Sequence, residues 1–229
     1  MKKLVYFCAL ATLGFWLSVP PASATLILTL STPNAALSCC TGPYATVSVT
    51  QTSNTTADIE FDSLTNGGYI YLMGDGGTAD LSVNGTYTLG PVTETNSIAG
   101  FTPDNSPANS PGNVNGLGFF NLSLNNFDGF HDTATKITFT LTNTSGIPWL
   151  TDADVLAPNG HDAVAAVHAF ACVQPGCSTD SGAFVTGYAG GGTPNGPPPV
   201  ERSVPEPQTL ALLGLGLVSL MLVRRQRMA

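Results

Sequence analysis

From Thr25 onward, apolar residues recur at alternate positions in one short run after another. Thr25 to Leu30 opens with an apolar stretch, and Val47 and Val49 then alternate with Ser48 and Thr50. Ile59 and Phe61 alternate with Asp58, Glu60 and Asp62, Ile70 and Leu72 with Tyr69 and Tyr71, and Leu81 and Val83 with Asp80 and Ser82. Farther on, Phe120, Leu122 and Leu124 alternate with Asn121 and Ser123, and Ile137, Phe139 and Leu141 with Thr138 and Thr140. A period of two sends one set of side chains to a buried face and the other to water, as in half-buried strands. Gly and Asn clusters punctuate the runs. The pattern therefore predicts an all-β fold, an antiparallel β-sandwich of jelly-roll or immunoglobulin-like type.

Three details sharpen this expectation. Asn84-Gly85 invites a two-residue hairpin turn, but that register would split Leu81 and Val83 from Tyr87 and Leu89 across two faces. An odd-length loop, with Gly85 left-handed in a bulge, restores one face by pairing Leu81 with Tyr87 and Ala79 with Leu89. Residues 102–116 hold three prolines and almost nothing to bury, which predicts a long surface loop. From Gly187 to Pro207 the chain turns to Gly and Pro, including Pro197-Pro198-Pro199, and reads as an extended spacer. The organisation expected is a sandwich domain over 25–188, a linker over 189–203, and a distinct segment over 204–229.

The chain ends have a different grammar. Lys2 and Lys3 precede an apolar stretch from Leu4 to Leu17, and Pro20-Pro21 and Ala22-Ser23-Ala24 follow. This is the layout of a secretory signal peptide over 1–24, cleaved after Ala24 so that Thr25 becomes the mature start, with signal peptidase as partner. At the other end Val204-Pro205-Glu206-Pro207 leads into an apolar run from Leu210 to Val223, closed by Arg224, Arg225 and Arg227. As a helix, 210–223 would be about 21 Å long, or about 23 Å with Thr209, short against a hydrocarbon core of about 30 Å. It is expected to span the membrane only marginally, as a temporary stop with the arginines cytoplasmic and the body on the periplasmic side.

Charge narrows the partners. The whole chain stands at −8, but five of its seven basic residues lie in the two terminal segments, leaving Lys136 and Arg202. Of the fifteen acidic residues only Glu206 lies outside 25–203, so the exported body stands near −12. Such a surface repels phosphate backbones, which excludes nucleic acid. Four cysteines remain after Cys8 leaves: Cys39, Cys40, Cys172 and Cys177. An even count in an exported chain predicts disulfides. A bond between the neighbours Cys39 and Cys40 strains the backbone, so crossed pairs joining 39/40 to 172/177 are favoured. The first such bridge, closing a long loop, is worth about 4–5 kcal/mol in the chain-entropy model.

The order of Val204-Pro205-Glu206-Pro207, apolar helix and Arg224-Arg225-Gln226-Arg227 resembles the PEP-CTERM sorting signal of Gram-negative bacteria. The resemblance covers the final 26 residues. It implies handling by an exosortase, a membrane-embedded transpeptidase that recognises Pro205-Glu206-Pro207 and cleaves near it. It further implies association with exopolysaccharide, biofilm or floc matrices, at the cell surface or outside it. The stretch Asp154 to Phe170 also resembles a segment found in bodies of this class, with no activity attached.

Candidate chemistry in the body is thin. Thr179-Asp180-Ser181-Gly182 resembles a serine-protease nucleophile loop, but Thr179 stands where Gly is usual and Ala183 where a second Gly is. No Gly-x-Ser-x-Gly elbow occurs. His131 and His161 each precede an Asp, Asp132 and Asp162; neighbours on a strand point to opposite faces and cannot form a relay. Asp152, Asp154, Asn159 and Asp162 offer hard oxygen ligands that suit calcium, though without EF-hand spacing. Asn125, Asn126 and Asp128 form a poorer cluster. No metal or other cofactor is expected, since Asp and Asn are also ordinary turn residues. Tyr69, Tyr71, Tyr87 and Trp149 are candidates for a sugar-binding surface. The expectation is a non-enzymatic surface or matrix protein, with a calcium- or carbohydrate-binding module as the rival and an exported hydrolase behind it.

Overall fold

The computed structural model describes residues 25–192 apart from Asn105 and Asp128; the signal peptide, most of the spacer and the whole of 204–229 lie outside the described residues. In chain order the strands are β1 (Leu26–Leu30), β2 (Thr32–Pro33), β3 (Ala45–Ser53), β4 (Thr56–Ser63), β5 (Thr65–Asn66), β6 (Tyr69–Met73), β7 (Asp75–Leu81) and β8 (Tyr87–Leu89). There follow β9 (Thr93–Thr95), β10 (Ala108–Asn109), β11 (Gly112–Val114), β12 (Gly118–Phe120), β13 (Leu122–Asn126), β14 (Lys136–Asn143), β15 (Ala165–Val173) and β16 (Val185–Gly191).

Two antiparallel sheets pack face to face, so the fold is the β-sandwich that the alternation predicts. One sheet runs β1-β3-β4-β14-β8, with β9 also on β14. The other runs β10-β13-β7-β15-β16-β2, with β6 beside β7 on the same edge of β15 and β5 on β6. Register follows the hydrophobic set: Val47 faces Phe61, Val49 faces Ile59, and Ile59 in turn faces Phe139. These residues meet Tyr71, Met73, Ala79, Leu81, Leu122, Leu124, Val167 and Ala169 of the second sheet in one core. Phe61 and Phe139 stack there with centroids 6.2 Å apart.

The second sheet is covered on its outer face as well. Leu72, Phe170 and Cys172 pack under Phe101 and Cys177 at one end, and Ala166 packs under Val114, Leu117 and Phe120 at the other. The 102–116 stretch, expected to be a long surface loop with almost nothing to bury, is exposed along most of its length, yet it carries β10 and β11, and Val114 joins Leu117 and Phe120 in this cover. The double cover also explains β15, whose AAVHAFAC run is buried at every position. A strand wet on neither face shows no alternation, so periodicity passes over it.

The turn at Asn84-Gly85 corrects a second expectation. Leu81 pairs with Leu122 and Ala165 in one sheet, while Tyr87 and Leu89 pair with Asn143 and Leu141 in the other. The chain crosses between sheets here, and no hairpin forms. Gly85 does sit at φ +86°, so the positive dihedral is real but serves a crossover. Leu81 faces the core from one sheet and Leu89 packs on it from the other. β16 also reaches Gly191, with Ala189 opposite Val167, taking in residues placed by composition in the spacer.

Candidate functional site

The outer face of the second sheet is apolar at both ends and polar between them. Along β15, Ala166 belongs to one apolar cluster and Phe170 to the other, with His168 in the middle. His168 makes a 2.7 Å hydrogen bond between Nε2 and the Thr186 Oγ1 of the adjacent strand. Its ring stacks on Tyr188, centroids 4.5 Å apart and planes 22° apart. The Tyr188 hydroxyl donates to the Gly76 carbonyl at 3.0 Å. Asp75 holds a left-handed backbone, φ 65°, at the head of β7. Its Oδ2 lies 3.9 Å from His168 Nδ1. Burial pushes the His168 pKa down, against the pull of Asp75 and the Gly74 backbone.

These groups have the composition of a hydroxyl–imidazole–carboxylate relay but not its geometry. A relay needs the second imidazole nitrogen bonded to the carboxylate, within about 3.2 Å. Here Nδ1 makes no hydrogen bond. Thr186 and Tyr188 hold the ring in place rather than making an activated pair with it. Asp80, also on the outer face of β7, is fully buried, and neither of its carboxylate oxygens accepts a hydrogen bond. Burial pushes it up to about 7.

A second buried carboxylate lies inside the sandwich. Glu94 sits on β9 opposite Ile137 and accepts a 2.6 Å bond from Asn126 Nδ2 of the facing sheet. Burial raises it to about 7, Asn126 opposes, and Asp104 adds to the rise. Asp80 alternates with Leu81 and reads as a wet-face position, because alternation cannot show what covers a face.

The residues singled out for hydrolysis are not assembled. Ser181 Oγ closes its own turn, donating to the carbonyls of Gly176 at 2.7 Å and Ser178 at 3.0 Å. His131 and His161 are exposed. The calcium candidates are taken up in turns. Asp152 Oδ1 accepts the Gln51 amide, and Asp154 Oδ2 accepts those of Leu150 and Thr151. Asn159 Oδ1 accepts the amides of His161 and Ala163, and Asp162 takes a left-handed φ of 58°. Among the described residues no three His, Cys, Asp or Glu side chains gather where they could hold a metal. Asn125 binds the Gly77 amide, and Asp128 lies outside the described residues.

The aromatic candidates divide. Trp149 is buried with its Nε1 on the Asn84 carbonyl, Tyr71 is buried with its hydroxyl on Thr41, and Tyr87 binds the Asn121 carbonyl. Tyr69 stays half-exposed beside Phe184, ring centroids 5.9 Å apart, and Phe184 is 61 % exposed. On the outer face of the first sheet a shallow trough of about 600 Å³ is lined by Ser48, Thr50, Asp58, Glu60, Thr138 and Thr140. At its edge Lys136 Nζ lies 2.7 Å from Glu60 and 3.1 Å from Asp62. Lys136 holds Glu60 below its usual range, while burial raises Asp62.

The crossed disulfides are corrected. Cys172 bonds to Cys177, Cα atoms 5.1 Å apart, and Cys39 and Cys40 are left together. Cys40 packs in the central core with Tyr44 and Tyr71, whereas Cys172 packs with Leu72 and Phe170 on the opposite face of the same sheet. The sheet itself separates the two pairs. Closing so short a loop stabilises by about 2 kcal/mol, less than half of what the long crossed loop would give.

Residues 203–226 match a family model described as the PEP-CTERM protein-sorting motif. The match takes in Val204, Pro205, Glu206, Pro207, Arg224 and Arg225, with Arg227 one position beyond. No curated protein and no solved structure matches the chain. What can be said of identity is therefore carried by the C-terminus: the chain bears a PEP-CTERM sorting motif, with exosortase as its processing partner and the cell envelope or surface as its destination.

Proposed function

We propose that this protein is a non-enzymatic component of the cell surface or of an exopolysaccharide-rich biofilm matrix. The observation that carries the reading is the sorting motif at 203–226 behind a β-sandwich body. In this reading signal peptidase cuts after Ala24 and the apolar 210–223 segment halts in the inner membrane. The body is then held on the periplasmic side until exosortase acts near Pro205-Glu206-Pro207. The open geometry at His168 and the turn-closing role of Ser181 support a body that does no hydrolytic work. Intact-mass measurement on protein recovered outside the cell tests the route. A C-terminus near Pro205–Pro207 is expected, and a mass that includes Leu210 to Ala229 would overturn removal of the tail.

A carbohydrate-binding body is the second reading, favoured by two surface features. The trough over Ser48, Thr50, Asp58 and Glu60 presents hydroxyls and carboxylates, and Tyr69 with Phe184 presents two adjacent ring faces. Co-sedimentation with the producer's own exopolysaccharide tests it. The expected result is retention of the wild-type protein and several-fold weaker retention of Phe184→Ala; equal retention of both would count against the ring pair. Calcium has less behind it, because Asp152 and Asp154, two of the carboxylates proposed for it, already accept backbone amides.

A further inference from the structure

We propose that Cys39 and Cys40, neighbours in sequence, close a vicinal disulfide in the exported protein. Their sulfurs lie 2.6 Å apart. That is well inside the about 3.5–4.0 Å at which even carbon atoms make their best non-bonded contact. Two thiols held so close in a reducing environment would repel, whereas in an oxidising one they are a bond waiting for its oxidant. The other two cysteines are bonded to each other on the far side of the sheet, so neither competes for this pair.

The surrounding turn is fixed from several directions. The Cys40 amide donates to the Leu37 carbonyl at 3.2 Å, and the Ser38 hydroxyl donates to the Ala35 carbonyl at 2.7 Å. Two buried tyrosines reach in from the core. The Tyr44 hydroxyl donates to the Cys40 carbonyl and the Tyr71 hydroxyl to the Thr41 carbonyl, each at 2.6 Å. Asn66 Nδ2 binds the Gly42 carbonyl. A neighbouring-cysteine bond is disfavoured in a free chain because consecutive Cα atoms are only about 3.8 Å apart, below the about 4.4–6.8 Å of ordinary disulfides. Here the fold already holds the two sulfurs 2.6 Å apart, so little further movement closes the bond.

The chemistry is ordinary thiol–disulfide exchange with an external oxidant that carries a reactive disulfide, the class found in oxidising compartments. Cys39 is exposed and Cys40 buried. Burial and the neighbouring Cys39 push the Cys40 thiol up to about 11, so Cys40 keeps its proton in the first step. Cys39 thiolate attacks one sulfur of the oxidant, forming a mixed disulfide and expelling a thiolate. Cys40, once deprotonated, attacks Cys39 Sγ and expels the second thiolate. The two S–H protons end on the two thiols released, and the oxidant takes up two electrons. The product removes an exposed thiol from a protein delivered to crowded surfaces, where a free Cys39 would cross-link copies.

The test uses the full chain in detergent, equilibrated with a glutathione redox buffer at the poise of an oxidising compartment, then alkylated without reduction and cut with chymotrypsin. The expected result is a Ser38–Tyr44 peptide two hydrogens lighter than its dithiol form and carrying no alkyl group. Prior reduction should restore both alkylation sites. Two alkylated cysteines in that peptide, beside an intact Cys172–Cys177 bond, would overturn the proposal. So would a Cys39-linked dimer, or a bond from this peptide to one containing Cys172 or Cys177.

Discussion

At the scale of single residues, Asp80 and Glu94 set an unusual pH dependence. Both carboxyls are raised to about 7 by burial, from ordinary values near 4. The folded protein therefore keeps protons that the unfolded chain releases between about pH 4 and 7. Stability from these two groups is fully present below the unfolded pKa and is lost as pH rises through the folded one. His168 acts in the opposite sense, since its pKa is lowered and acidification places a charge in its buried site. Asp80→Asn isolates one contribution. It should stabilise the domain by about 1–3 kcal/mol above pH 8 and change little near pH 4. Urea unfolding across that range checks this, and a pH-independent difference would remove Asp80 as the cause. At this scale the sequence misleads in one particular way. Asp80 alternates with Leu81 as a wet-face residue should, but the hairpin of residues 112–120 and Tyr188 roof that face.

At the scale of elements, β16 shows how composition can disguise a strand. From Gly187 on, its sequence turns to glycine and reads as spacer, because glycine is scarce in strands. The structure gives a reason for Gly187. A Cβ there would stand 2.7 Å from Asn34 Oδ1 and 2.9 Å from the Leu37 nitrogen. Asn34 Oδ1 accepts from the Tyr188 and Leu37 amides, so the turn before Cys39 docks directly on this strand. Gly187→Val should cost about 1–3 kcal/mol through overpacking, read as a lower urea midpoint with an unchanged slope. The Cys172–Cys177 bond lies in the neighbouring loop and closes only a short ring. Replacing both cysteines by Ser should cost about 2 kcal/mol by chemical denaturation. A loss near 5 kcal/mol would mean that the bond holds more than its own loop.

At the scale of the whole molecule, address and body are separable. Changing Pro205, Glu206 and Pro207 together to Ala should leave the folding transition of the body unaltered and move the protein from the exterior to the membrane fraction. Fractionation followed by blotting reads the second effect. An unchanged distribution would detach the motif from sorting in this chain. The motif was legible because it is linear: a short proline-flanked glutamate, an apolar stretch and a basic cluster follow one another along the chain.

The sandwich was legible for a related reason. Val47, Val49, Ile59, Phe61, Ile137 and Phe139 lie on the one sheet with a wet outer face, and a period of two is the direct imprint of that asymmetry. Local patterning and composition were thus enough for the fold class, the sorting segment and the acidic character of the body. Long-range packing was needed for the rest: that β7 and β8 belong to different sheets, that residues 112–120 roof β15, that Asp80 and Glu94 are buried, and that Cys40 and Cys172 lie on opposite faces of one sheet. Those facts depend on which distant segment covers a face, and a local pattern carries no record of its cover.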